Sequence, residues 1–317
     1  GRACLKIIAD TKDLELVAIN DLMPIENAAY LLGHDSIYGR YQGNVKVEGN
    51  KLYVNDKELL FFNEADPSKL PWKALAIDIV IESTGRFTKR EDAANHIAAG
   101  AKRVIISGPT KSLHTPTVVY GVNSSDATTD VFSIGSCTTN NIGPIIEILG
   151  RRLGIQKAIL NTIHAYTASQ TAVDAPSKRD FRMGRSAAIN LTPATTGAAI
   201  AITKALPNYQ GKFDGIAIRT PVAIGSISDI TFIASRATSP EEVNQLLKEE
   251  ALTERYREVV LASDEPLVST DIIKSPFATI IDLQMTRVVG GDLVKVMAWY
   301  DNEWGFSNQM KRQILAL

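Results

Sequence analysis

The chain has 317 residues, of which 45% are apolar and 22% charged, and its formal net charge is −1. This length is sufficient for two domains with their own cores, and the charge gives no bulk electrostatic reason to bind nucleic acid or an anionic membrane. Two cysteines are too few for a disulfide framework, and no apolar run is long enough to cross a bilayer. We therefore expect a cytoplasmic protein with small-molecule ligands and no metal site, nucleic-acid partner or membrane partner.

The first part of the chain alternates between helix and strand patterns. Residues 1–9 have apolar side chains spaced for one helix face, and residues 14–20 form a strand pattern that ends at Asp21. Further predicted elements are helix 25–32, a hairpin over 45–54, strand 77–82, helix 90–99 and strand 103–107. Alternating strands and helices predict a mostly parallel sheet with right-handed crossovers.

Residues 155–300 have a different character. Their strand patterns are longer, and few helices lie between them; the predicted strands are 214–220, 226–235 and 293–299. One helix begins after Ser239, with a proline in its first turn, and extends towards Glu250. This pattern predicts a mostly antiparallel sheet with helices on one face.

The position of Asp21 indicates a dinucleotide-binding half. Such a half opens with a strand and a glycine turn before its first helix, and an acidic residue that binds ribose follows about twenty residues later. Asp21 lies at that interval from Gly1. We therefore interpret Gly1 as the last glycine of a turn whose strand is missing from this chain. Taken alone, Asp21 is better explained as a turn residue at a strand end.

Cys137 and His164 form a candidate nucleophilic pair. A strand pattern over residues 131–134 ends in Gly135-Ser136, and a helix pattern begins directly afterwards. Cys137 therefore lies at a helix N-terminus, where free N–H groups and the helix dipole lower a thiol pKa. His164 ends the strand pattern over residues 158–163, and an adjacent histidine activates a cysteine nucleophile. The structural alternatives are a small buried hydrophobe and a structural histidine.

Several motifs together resemble the phosphorylating glyceraldehyde-3-phosphate dehydrogenase family. They are Ser-Cys-Thr-Thr-Asn at 136–140, His-Ala-Tyr-Thr at 164–167, Ala-Ile-Asn-Asp at 18–21, Glu-Ser-Thr-Gly at 82–85, Thr-Thr-Gly-Ala-Ala at 195–199 and Trp-Tyr-Asp-Asn-Glu-Trp-Gly at 299–305. The motifs occur in the family's order and extend over nearly the whole chain.

The resemblance implies an α/β fold with two domains. Residues 1–136 would form a Rossmann-type NAD-binding domain that lacks its first strand here. Residues 137–302 would form an α+β catalytic domain with a mostly antiparallel sheet, and helix 303–317 would pack back on the first domain. Members of the family are homotetramers. In them, the segment that corresponds to residues 170–188 crosses the subunit interface and lies beside the NAD of the adjacent chain.

The resemblance also implies an activity, with NAD as cofactor. A glycolytic and gluconeogenic oxidoreductase would convert D-glyceraldehyde 3-phosphate and inorganic phosphate to 1,3-bisphosphoglycerate, with Cys137 as nucleophile and His164 as base. The implied phosphate-binding residues are Ser136, Thr138, Thr167, Arg182, Thr196, Gly197 and Arg219. The implied cofactor-binding residues are Gly1, Arg2, Asn20, Asp21, Ser83, Thr84, Gly85, Ser107 and Asn302.

Three alternative functions remain open from the sequence. Erythrose-4-phosphate dehydrogenase shares the nucleophile, although residues 164–167 and Pro176 favour the glyceraldehyde-3-phosphate enzyme. A cysteine hydrolase shares a Cys/His pair but needs neither a ribose-binding acid nor paired anion sites. The third alternative is a nucleotide-binding scaffold without catalytic activity, which would form no NADH from the aldehyde.

Overall fold

The computed structural model describes residues 1–124, 129–177 and 180–317. These residues fall into two compact units. The first contains residues 1–116, 129–134 and 310–317, and the second contains residues 117–124 and the described part of 135–309. The final residues, Met310–Leu317, thus belong to the first unit although they follow the second in the sequence.

The first unit combines short helices with two sheets. Its elements are α1 (Arg2–Ala9), β1 (Ala18–Asn20), α2 (Ile25–Gly33), β2 (Val45–Glu48), β3 (Lys51–Val54), β4 (Lys57–Phe62), β5 (Ile79–Glu82), α3 (Arg90–Ala93), α4 (Asn95–Ala98), β6 (Arg103–Ile106) and β7 (Val131–Ser133). Strands β5, β6 and β7 form a parallel sheet. The other sheet has the order β1-β4-β3-β2, in which β1 and β4 are parallel and the remaining pairs antiparallel.

Local chemistry explains where the predicted elements of this unit hold and where they fail. The hairpin is present, because Glu48 pairs with Lys51 and Gly49 adopts φ 62°, a left-handed conformation that glycine tolerates. The strand predicted over residues 14–20 is shorter, because its pairing with β4 extends only over Ala18–Asn20. The single helix predicted over residues 90–99 is wrong: Ala94 separates α3 from α4, and buried side chains on each piece hold it in place.

The second unit is built around one large sheet. Its elements are α5 (Cys137–Arg152), β8 (Ile155–Ala165), β9 (Thr192–Thr195), α6 (Ala198–Ala205), β10 (Phe213–Thr220), β11 (Ser226–Ala234), α7 (Pro240–Ala251), β12 (Val260–Ser263), β13 (Thr279–Val289), β14 (Leu293–Tyr300) and the start of α8 (Trp304–Leu315). The sheet order is β12-β13-β14-β11-β8-β10-β9. Neighbours are antiparallel except for β12 with β13 and β8 with β10, in the part of the chain described. The predicted fold class is therefore confirmed.

Burial of α5 fixes the position of its first residue. Ile142, Ile145 and Leu149 of this helix are fully buried in one apolar core with Ile230 of β11 and Val296 of β14. Each buried side chain of this size contributes about 1.5–3 kcal/mol to stability. The N-terminus of α5 is consequently held against the sheet by packing along much of the helix.

Candidate active site

The turn before α5 positions Cys137. Gly135 adopts φ 71°, and an added Cβ there would lie 2.9 Å from a methyl carbon of Thr139, so the turn requires glycine. Ser136 caps the helix, because its Oγ accepts the Thr139 N–H at 3.0 Å. Cys137 is then the first helical residue, where backbone N–H groups have no intrahelical acceptor.

The structure brings His164 to Cys137. His164 lies near the C-terminal end of β8 and is buried. Its Nε2 atom is 3.4 Å from Cys137 Sγ, within hydrogen-bond range for sulfur. Cys137 and His164, which were predicted from two separate sequence patterns, are therefore in direct contact, one at a helix start and the other near a strand end.

Arg219 lies against the other ring nitrogen of His164. Strand β10 runs parallel to β8 with Arg219 opposite His164, and Arg219 Nη1 is 2.6 Å from His164 Nδ1. The Ala165 carbonyl oxygen is also 2.7 Å from Nδ1. A guanidinium only donates and a carbonyl only accepts, so these two neighbours favour opposite tautomers. If Arg219 donates, Nε2 carries the proton; if Ala165 accepts, Nε2 is bare and can accept the thiol proton.

Burial determines the protonation of the pair. It raises the pKa of the Cys137 thiol, and hydrogen bonds from Thr138 and the charge of Arg219 lower that pKa only in part. Burial and the charge of Arg219 also lower the pKa of His164 to about 4. The expected lowering of the thiol pKa at the helix start is therefore wrong, because desolvation of the thiolate outweighs the helix-start donors. Both directions favour a neutral thiol beside a neutral imidazole in the resting pair.

Tyr300 is a buried neighbour of this pair that the sequence analysis did not select. Its hydroxyl is 2.8 Å from both Thr138 Oγ1 and Thr162 Oγ1, and its ring meets the His164 ring edge-on at 5.9 Å. Burial raises the pKa of Tyr300 well above its ordinary value, so the phenol stays neutral. The available signal was its place in the motif at residues 299–305.

Two of the implied phosphate-binding residues lie at the start of α6. Gly197 is the N-cap residue, and Thr196 Oγ1 accepts the Ala198 N–H at 3.2 Å. Thr167 follows β8, with its Oγ1 2.8 Å from Ser169 Oγ. These hydroxyl and N–H groups are the donor types that suit phosphate oxygens.

The two implied phosphate-binding arginines have different surroundings. The Arg182 side chain is 59% exposed and forms a two-point ion pair with Asp180, with N–O distances of 3.2 and 3.1 Å. In contrast, Arg219 Nε is buried and has no hydrogen-bond partner among the described residues. Arg219 thus lies beside His164 in the candidate active site, whereas Arg182 is ion-paired with Asp180 at the surface.

In the first unit, three implied cofactor residues lie together. Gly1 is the N-cap of α1, and an added Cβ there would lie 3.8 Å from Ser83 Cβ. Ser107 Oγ is 3.0 Å from Ser83 Oγ and donates to the Glu82 carbonyl at 2.9 Å. The N-terminus of α1 therefore faces the residues after β5 and β6, an arrangement that suits an anionic dinucleotide. Arg2 is exposed in the first turn of α1.

Asn20 and Asp21 end β1 in a braced turn. The Asn20 side chain exchanges two hydrogen bonds with the backbone of Glu64, at 3.0 and 2.9 Å. Asp21 Oδ1 accepts the Met23 N–H at 3.0 Å, and Asn63 Nδ2 donates to the Asp21 carbonyl at 2.8 Å. These bonds orient the Asp21 carboxylate at a strand end.

Asn302 belongs to the second unit and is buried there. Its Oδ1 accepts the Gly225 N–H and the Ser226 hydroxyl, both at 3.2 Å. This fixes the amide orientation and directs Nδ2 away from those two donors.

Comparison with known proteins identifies the family. The model of the glyceraldehyde 3-phosphate dehydrogenase C-terminal domain matches residues 136–302, and that of its NAD binding domain matches residues 1–90. The chain belongs to the glyceraldehyde-3-phosphate dehydrogenase family. It is 46% identical to the Thermotoga maritima glyceraldehyde-3-phosphate dehydrogenase and 43% identical to that of Zymomonas mobilis subsp. mobilis, over 98% of this chain and 93% of each relative. The chloroplastic GAPA1 of Arabidopsis thaliana is 44% identical over 98% of this chain and 79% of its own length.

Neither the helices of residues 1–124 nor those of the later described ranges include one with the length and apolar character to cross a membrane. The same residues contain no group of three or more His, Cys, Asp and Glu side chains arranged to hold a metal ion.

Proposed function

We propose that this protein is the NAD-dependent, phosphorylating glyceraldehyde-3-phosphate dehydrogenase of glycolysis, acting in reverse in gluconeogenesis. It oxidises D-glyceraldehyde 3-phosphate with inorganic phosphate to 1,3-bisphosphoglycerate. The observation that carries the proposal is the 3.4 Å contact between Cys137 Sγ and His164 Nε2 at the start of α5, in a chain of this family.

Cys137 supplies the nucleophile. Its sulfur adds to the aldehyde carbon, and the resulting hemithioacetal alkoxide lies near the free N–H groups of the α5 start, which can stabilise the negative charge. Held by the cofactor residues named below, NAD would supply the acceptor for the hydride of this carbon. The remaining thioester is cleaved when a phosphate oxygen attacks the carbonyl and Cys137 departs as thiolate.

His164 accepts and donates the protons that move during the reaction. Because the resting thiol is neutral, attack on the aldehyde requires a base at Sγ, and the tautomer with Nδ1–H donated to Ala165 leaves Nε2 able to act as that base. In the tautomer fixed by Arg219, Nε2–H instead donates towards the reacting oxygen. Withdrawal of Arg219 towards a phosphate would therefore favour the base form.

Two anions have to be bound, the substrate phosphate and the attacking phosphate. Arg219 is the best placed, since its buried Nε lacks a partner among the described residues and its Nη1 touches His164. Thr138 would contribute through its backbone N–H, because its hydroxyl is engaged with Tyr300. The remaining proposed donors are Ser136, Thr167, Arg182, Thr196 and Gly197.

The proposed cofactor residues are divided between the two units. In the first unit, Gly1 and Arg2 at the α1 start would face the pyrophosphate, with Ser83, Thr84, Gly85 and Ser107 beside it. Asp21, braced together with Asn20, would accept ribose hydroxyls and repel a 2′-phosphate, which favours NAD over NADP. In the second unit, Asn302 Nδ2 would donate to the nicotinamide carboxamide.

We also propose a cytoplasmic homotetramer with an NAD-binding domain over residues 1–136, to which helix 303–317 returns, and a catalytic domain over 137–302. The segment 170–188, of which residues 178 and 179 lie outside the described ranges, carries the exposed side chains of Val173 and Phe181. Ile189 and Leu191 just beyond it are also exposed. Such apolar exposure is explained by an interface between subunits.

A spectrophotometric assay tests the proposed activity. Purified protein mixed with NAD, D-glyceraldehyde 3-phosphate and phosphate should form NADH, and omission of phosphate should suppress turnover. Erythrose 4-phosphate in place of the triose distinguishes the related dehydrogenase, which would oxidise it faster. Absence of NADH with both aldehydes, together with normal NAD binding, would instead support the non-catalytic scaffold.

A further inference from the structure

A chain of three buried side chains leads to the turn after β5. Trp72 Nε1 donates to His96 Nδ1 at 2.9 Å, and His96 Nε2 lies 3.4 Å from Glu82 Oε2. All three residues are nearly inaccessible to solvent, with 5% of Trp72 and 4% each of His96 and Glu82 exposed. The other carboxylate oxygen, Glu82 Oε1, accepts the Thr84 N–H at 2.7 Å and the Thr84 hydroxyl.

The direction of every bond in this chain is determined. An indole N–H can only donate, so His96 Nδ1 must be the acceptor and the ring proton must lie on Nε2. His96 Nε2–H therefore donates to the Glu82 carboxylate, which itself only accepts from Thr84. A buried carboxylate is tolerated because donors reach both of its oxygens.

The carboxylate in turn shapes the turn that follows β5. Thr84 is held by its N–H and hydroxyl, and Arg86 N–H donates to Thr84 Oγ1 at 3.1 Å. Gly85 between them adopts φ 70°, a left-handed conformation that glycine reaches without strain, so the hydrogen bonds of its neighbours determine the shape of the turn. Ser83, the first residue of the turn, is bonded to Ser107 and faces Gly1.

We propose that His96 is a positioning residue for the cofactor: with Trp72 it orients the Glu82 carboxylate, which holds the turn Ser83–Thr84–Gly85 in its binding conformation. The inference rests on the proposed assignment of that turn to NAD. This hydrogen-bonded relay, Trp72–His96–Glu82, lies in the first unit, whereas the Cys137–His164 pair lies in the second. Loss of the relay should therefore weaken NAD binding and leave turnover at saturating NAD nearly unchanged.

The test compares two replacements of His96 by calorimetric titration with NAD. His96→Leu removes both hydrogen bonds and should raise the Kd for NAD at least about tenfold, the effect of one lost hydrogen bond to a charged group. His96→Gln retains an acceptor and a donor and should stay within about threefold of wild type. The matched control Ile77→Val trims a buried neighbour of Trp72 in the same apolar cluster and should lower the melting temperature without changing the Kd.

The outcomes separate the inference from the cofactor assignment. An unchanged NAD Kd in His96→Leu overturns the relay, and so does a Kd that rises equally in Ile77→Val. If His96→Leu does not fold, Trp72→Phe decides: a raised Kd supports the relay and a wild-type Kd overturns it. If wild-type protein binds no NAD, the cofactor assignment itself fails, and the inference with it.

Discussion

Replacing His164 by asparagine is expected to remove an acid-dependent loss of stability. Burial and the charge of Arg219 hold the pKa of His164 at about 4 in the folded protein, against an ordinary value of 6.5. As the pH falls below 6.5, the unfolded chain binds a proton that the folded chain rejects, so wild-type stability declines until the pH reaches about 4. Above neutral pH the ring is uncharged in both states, and this contribution disappears.

The magnitude follows from the two pKa values. The difference between 6.5 and about 4, at about 1.4 kcal/mol for each pH unit, gives a maximum of roughly 3 kcal/mol. Between about pH 7.5 and about pH 5, roughly 2 kcal/mol of this should be lost. His164 is buried, so solvent screening does not reduce the effect to that of a surface charge.

The assay is urea unfolding followed by tryptophan fluorescence across this pH range. The free energy of unfolding of wild type minus that of His164→Asn should fall by the stated amount from neutral to acid pH. His34→Asn is the matched control, because His34 is exposed and its replacement should leave the pH dependence parallel to wild type. Parallel curves for wild type and His164→Asn would refute the assigned burial effect.

The remaining predictions concern the reaction and the assembly. Cys137→Ser should abolish NADH formation while the calorimetric NAD Kd stays near wild type; activity within about tenfold of wild type would exclude Cys137 as nucleophile. His164→Asn should lower kcat by roughly two to four orders of magnitude, the effect of a lost general base, and a smaller loss would contradict that role. Asp21→Ala should raise the NADP-to-NAD ratio of kcat/KM, and an unchanged ratio would leave Asp21 as a turn residue. Light scattering should report a tetramer; a fully active monomer would contradict it.

Elements with a strong local signal were predictable from the sequence. The hairpin around Gly49 and the helix that begins at Cys137 each combine periodicity with turn or cap chemistry, and both are present. Strands β9, β12 and β13 were not predicted. β9 and β12 have four residues each, too few for a clear periodic pattern, and they are defined by pairing with β10 and β13. β13 pairs with the next strand, β14, across the turn at Gly290 and Gly291, and this hairpin was missed. The division of residues 90–99 into two helices likewise depends on what Ala93 and His96 pack against.

The same distinction applies to the active site. Local patterns place Cys137 at a helix start and His164 near a strand end, and both residues belong to motifs of the family. These features can be recognised from the sequence alone. The protonation of the pair is a property of its surroundings. It depends on how much water the thiol loses and on a guanidinium that arrives from β10, fifty-five residues further along the chain, where the parallel register sets Arg219 opposite His164. A helix start alone argues for a thiolate, whereas the assembled site favours a neutral thiol whose proton leaves during attack. Local sequence patterns are thus sufficient to identify the reacting residues, whereas tertiary contacts determine their pKa values.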